Sequence, residues 1–80
     1  MDHIDYIRWA EDYRSQAELI TQKIEARSKM KKFATAEERS EFEKGTQMLY
    51  EMRRECRITE ALLLERAALI KEAEEHEKNI

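Results

Sequence analysis

Proline is absent from this 80-residue sequence, and glycine and cysteine occur once each. The chain therefore has almost none of the residues that shape tight hairpin turns, and no glycine-rich loop to wrap a phosphate. These absences exclude sandwiches and barrels and predict a nearly all-helical molecule. No stretch approaches the roughly 18 consecutive apolar residues of a membrane span. The opening Met1-Asp2-His3 also lacks the basic and apolar regions of a secretory signal. A cytoplasmic protein without membrane contact is expected. Cys56 has no second cysteine to pair with and lies among apolar positions, so it reads as a small buried hydrophobe.

What the sequence does contain is charge. Charged residues make up 41% of it and hydrophobic residues another 41%, a balance typical of long helices and coiled coils. The formal net charge of −3 is too mild to point to nucleic acid. Any such role must come from local patches.

His3, Tyr6, Ala10, Tyr13, Ala17, Ile20, Ile24, Arg27 and Lys31 recur at alternating steps of three and four, a heptad seam flanked by Ile7, Trp9, Leu19, Ala26 and Met30. The spacing predicts a first helix over about 3–31, with acidic residues in its first turn and Lys29, Lys31 and Lys32 answering the dipole at its end. A turn over 32–35 follows. Thr35-Ala36-Glu37-Glu38 then has the pattern of a capping box, with the Glu38 carboxylate reaching back to the N–H of Thr35. From there a second seam continues through Phe42, Gly45, Leu49, Met52, Cys56, Thr59, Leu63, Arg66, Ile70, Ala73, Glu77 and Ile80. The apolar phase is unbroken at Gly45, so one helix over about 36–77 is expected, with a split at Gly45 as the alternative.

A short link makes the two helices an antiparallel hairpin with coiled-coil-like packing, a single domain of the all-α class. With the bend near Phe33 and Ala34, facing positions total about 68, which pairs Tyr13 with Cys56, Ala17 with Met52 and Tyr6 with Leu63. The first helix then runs out near Leu64, leaving an overhang of about twelve residues, or ~18 Å. Leu62, Leu63, Leu69, Ile70 and Ala73 lie on or near that overhang. Small scaffolds commonly need a disulfide, a metal or self-association. The chain is therefore expected to form a homodimer, a four-helix bundle that these five residues hold together.

Enzymatic chemistry finds little support. Neither His3 nor His76 follows a Glu by three residues, so the di-iron bundle pattern is missing, and two distant histidines with one cysteine make no zinc set. No cofactor or metal is expected. Glu37, Glu38 and Glu41 resemble one Glu-rich motif of all-helical nucleotide pyrophosphohydrolases, but the second motif and its aspartate are absent, since every Asp lies at position 2, 5 or 12. Arg14, Arg27, Arg53 and Arg57 invite comparison with helical chorismate mutases, for whose three helices this chain is too short. A non-catalytic protein is expected.

Binding is better served. Arg27, Lys29, Lys31 and Lys32, with Phe33 beside them, form a basic run at the hairpin tip suited to phosphate or an acidic protein surface. Arg53, Arg54 and Arg57 form a second basic patch on the long helix, diluted by Glu51 and Glu55. Trp9 and Tyr50 lie off the intramolecular seam and are of the types that anchor interfaces. In its opening Met-Asp-His-Ile-Asp-Tyr-Ile and its Glu/Lys/Arg-rich heptads, the chain resembles the small helical accessory proteins of phages and mobile elements, anti-CRISPR inhibitors among them. That resemblance implies a protein or nucleoprotein partner, inhibited by occlusion without chemistry. The alternative is a small regulator that contacts nucleic acid through its basic tip.

Overall fold

The computed structural model describes residues 1–30 and 32–78, which form an antiparallel pair of helices, α1 over His3–Ser28 and α2 over Ala36–Lys78. No strand occurs among the described residues.

Capping residues set both N-termini. Asp2 is extended, with φ −88° and ψ 177°, and accepts from the N–H of Asp5 at 3.0 Å, while the Asp5 carboxylate accepts from the N–H of Asp2 at 3.4 Å. The hydrogen bond from Asp5 favours the charged form of Asp2 and holds its carboxyl below the ordinary value. At the start of α2, Thr35 Oγ1 accepts from the N–H of Glu38 at 3.1 Å. The return bond differs from the expected one. Glu38 Oε2 reaches the N–H of Ala34, at 3.1 Å, rather than that of Thr35.

The first helix stops at Ser28, short of the expected residue 31. The Ser28 hydroxyl donates to the Glu25 carbonyl at 2.6 Å and the N–H of Met30 to the Arg27 carbonyl at 3.0 Å, which closes the last turn locally. Lys29 and Lys32 therefore lie beyond the last turn that they were expected to stabilise; Lys31 lies outside the described residues, as does Ile80. The connection spans 29–35, longer than the expected 32–35, and lies beside the first turns of α2, with the Phe33 and Phe42 rings 5.0 Å apart.

That longer connection moves the register. Arg27 meets Thr46, Thr21 meets Arg53, Gln16 meets Cys56 and Arg14 meets Glu60, so the partners on α2 lie about one and a half helical turns beyond the expected ones. Tyr13 was expected opposite Cys56 and Ala17 opposite Met52; instead Cys56 is clustered with Ala17, Ile20 and Ile24, and Met52 is 49% exposed. The expected overhang shrinks with the shift. His3 Nδ1 lies 2.7 Å from Glu74 Oε2, so α1 covers α2 well past Leu64.

Ala10, Leu63 and Ala67 continue the core toward the open end. Alanine on both helices permits close approach, at the cost of buried volume. A fully buried Ile or Leu contributes about 1.5–3 kcal/mol; among the described residues Ile20, Ile24 and Leu63 come nearest to that, each still 6–9% exposed. The core is thin for its length, and polar links between the helices supplement it. Gly45 lies inside an uninterrupted α2, so the alternative split does not occur.

Candidate functional site

The two flanks of the hairpin differ in chemistry. Along one, α1 and α2 are joined by side chains. Arg14 Nε donates to Glu60 Oε2 at 2.8 Å, Arg53 Nη1 to Thr21 Oγ1 at 3.3 Å and Arg27 Nε to Thr46 Oγ1 at 3.0 Å. Thr46, Arg53, Glu60 and Ala67 follow one another at intervals of seven, so one line on α2 carries these links.

The other flank is apolar and open. Lys23, Ala26 and Arg27 of α1 border a groove with Gly45, Met48, Leu49 and Met52 of α2, about 410 Å³ in volume, so the apolar lining comes from α2 and a cationic rim from α1. Positions 48, 52, 55, 59, 62, 66, 69 and 73 carry this flank along α2 at alternating steps of four and three. They hold Met48, Met52, Glu55, Thr59, Leu62, Arg66, Leu69 and Ala73. Met48 is 61% exposed, Leu62 59% and Leu69 56%. Trp9 and Leu19 of α1 are also exposed, Trp9 lying beside Tyr6 with ring centroids 6.3 Å apart.

The residues expected to form a dimer surface separate accordingly. Leu62, Leu69 and Ala73 are exposed, Ile70 is half-buried and Leu63 is buried in the hairpin. Sequence reasoning missed that the exposed positions form a second heptad series. Its signal is present in the sequence: Met48, Leu62 and Leu69 keep heptad phase with one another, and Met52 follows Met48 by four residues.

The basic residues separate too. Arg27 turns inward, with its guanidinium 4.3 Å from the Phe42 ring centroid and Nη2 donating to the Phe42 carbonyl at 3.1 Å. Phe33 is half-buried, and only Lys29 and Lys32 of the described tip cations are exposed. On α2, Tyr50, Arg53, Arg54, Arg57, Ile58 and Ala61 line a shallow groove of about 510 Å³. Arg53 is committed to Thr21 and lies 5.0 Å from the Tyr50 ring centroid. Arg54 and Arg57 are exposed and make no ion pair among the described residues.

For catalysis, Glu38 is occupied as a cap and Glu37 and Glu41 are exposed. Among the described residues no three His, Cys, Asp or Glu side chains converge to hold a metal ion. Cys56 is buried, its thiol 3.9 Å from Gln16 Oε1. No helix among the described residues is long and apolar enough to cross a membrane. The chain matches no protein-family model, and no curated protein or solved structure is significantly similar to it.

Proposed function

We propose that the chain is a non-catalytic binding module of the cytoplasm: a helical hairpin that pairs with a second copy as a four-helix bundle and acts by covering an acidic protein or nucleoprotein surface. This is the mode of action that the resemblance to phage and mobile-element inhibitors implies. The observation that carries it is the Arg54 and Arg57 pair, exposed and without ion partners among the described residues, beside the half-exposed Tyr50 and Ile58. A planar guanidinium can grip a carboxylate or phosphate with two parallel bonds, and arginine and tyrosine are enriched where interfaces hold most of their energy. The tip offers less, because Arg27 is spent on α2.

The test compares wild type with R54E/R57E, both shown to be helical by circular dichroism, as baits for a host-cell partner at near-physiological salt. Specific retention of a protein by wild type and its loss from the variant is the expected result. Equal retention by both baits, or no specific retention, would overturn the reading. The regulator alternative predicts retention that nuclease treatment abolishes and that falls steeply with salt, through Lys29 and Lys32.

A further inference from the structure

The open flank of α2 is self-complementary. Its only charged members are Glu55 and Arg66, of opposite sign, and neither makes an ion pair among the described residues. In an antiparallel pairing of two copies of this flank, the position of the two-fold axis decides what each residue meets. An axis between Glu60 and Ala61 sets Glu55 against Arg66 of the second copy and, by symmetry, Arg66 against Glu55. The same axis sets Met52 against Leu69 and Met48 against Ala73. Axes one step away, near Arg57 or Leu64, preserve the heptad spacing but oppose Arg66 to Met48 or Leu62 and Glu55 to Thr59 or Ala73. Only the central axis satisfies both charges while keeping apolar residues together.

The surface area agrees. The chain exposes 6709 Å², against about 5,100 Å² for a compact monomer of its mass. The excess belongs to the rod shape as a whole, and a standard interface would remove ~800 Å² of it from each partner. We infer that the occupant of this flank is a second copy of the chain, packed antiparallel along α2 about a two-fold axis between Glu60 and Ala61, with Glu55 and Arg66 paired reciprocally.

This deepens the proposed binding module by giving its pairing a face and a register. Its test leaves Arg54 and Arg57 unsubstituted, and because Glu55 shares a groove with Arg54 it is read on the oligomeric state alone. Sedimentation equilibrium is run over a concentration series on wild type, E55R, R66E, E55R/R66E and L62E/L69E, with helicity followed by circular dichroism.

Wild type is expected to dimerise, and L62E/L69E to remain monomeric. Each single charge reversal places like charges together at both ends of the interface and should weaken dimerisation by roughly tenfold to a hundredfold. The double reversal restores opposite charges and should recover wild-type association within about threefold. Rescue by the double reversal also separates an interface effect from a folding defect. A wild type monomeric throughout the series overturns the inference, as does a dimer indifferent to E55R and R66E, or one that E55R/R66E fails to restore. A monomer that still retains a partner through Arg54 and Arg57 would leave the binding-module reading standing, and a rescued dimer without a partner would leave the pairing standing.

Discussion

Arg27 occupies the space that a side chain at position 45 would need. An ideal Cβ on Gly45 would lie 2.6 Å from Arg27 Nη2, too close for both to keep their places. Glycine inside a helix costs about 1 kcal/mol relative to alanine, and at this position it admits a cation bonded to Thr46 and to the Phe42 carbonyl. R27A should therefore lower stability by about 1–2 kcal/mol through lost hydrogen bonds and ring contact. G45A should be nearly neutral alone, within about 0.5 kcal/mol, because the helix gains what the displaced Arg27 loses. In the R27A background the same substitution should stabilise by about 1 kcal/mol. Urea unfolding of the four proteins at one concentration measures this coupling, and an identical effect of G45A in both backgrounds would contradict it. The heptad phase already shows that Gly45 does not end the helix. It does not show why glycine is there, because periodicity places Arg27 on the seam without saying whether its head turns to solvent or to the neighbouring backbone.

At the scale of the elements, the sequence yields both helices and the Thr35 cap, but it sends the Glu38 carboxylate to the wrong N–H and misplaces the register by about one and a half turns. The reason lies in 29–35. A heptad seam carries the phase of each helix, whereas register depends on how much chain the connection uses, and neither Phe33 nor Ser28 belongs to a periodic pattern. Phe33 packing on Phe42 and Ser28 closing its own turn lengthen the connection and carry α1 toward the C-terminal end of α2. The same shift removes most of the expected overhang. The Arg54 and Arg57 patch was legible because consecutive turns of one helix fix it, and so was the heptad phase of the open flank, but which residues of α1 border that flank required the register. Thr35 anchors the far side of this connection. Substituting T35A removes the acceptor for the Glu38 N–H and should cost about 1 kcal/mol, lowering Tm by roughly 4–8 °C for a chain of this size. T35S and T35D should retain most of the stability, since either side chain can accept the same bond. Thermal unfolding by circular dichroism distinguishes these outcomes, and an unchanged Tm in T35A would show that the cap contributes nothing.

The whole molecule is a rod of 69 × 15 × 14 Å with a Cα radius of gyration of 19.0 Å, where a compact chain of equal length would have about 12 Å. Its shape makes the position of a dimer axis measurable. An axis between Glu60 and Ala61 lies close to the middle of α2, which spans Ala36–Lys78. Two hairpins related by it overlap along nearly their full length and are displaced by about 10 Å. The expected dimer is thus about 80 Å long, little longer than one hairpin but thicker. Pairing confined to Leu69, Ile70 and Ala73, as the overhang alone would have required, places the axis near residue 71 and produces a tail-to-tail particle of about 110 Å. Small-angle X-ray scattering on the dimer separates the two, since the maximum dimension differs by roughly 30 Å. The scattering profile of L62E/L69E should in turn match the isolated 69 Å rod. A dimer close to 110 Å would place self-association at the end of α2 and leave Glu55 and Arg66 too far apart to pair. A dimer close to 80 Å leaves the groove of Arg54 and Arg57 on the line of Tyr50 and Ala61, around α2 from the paired stripe. One helix would then present one face to its own copy and another to a partner.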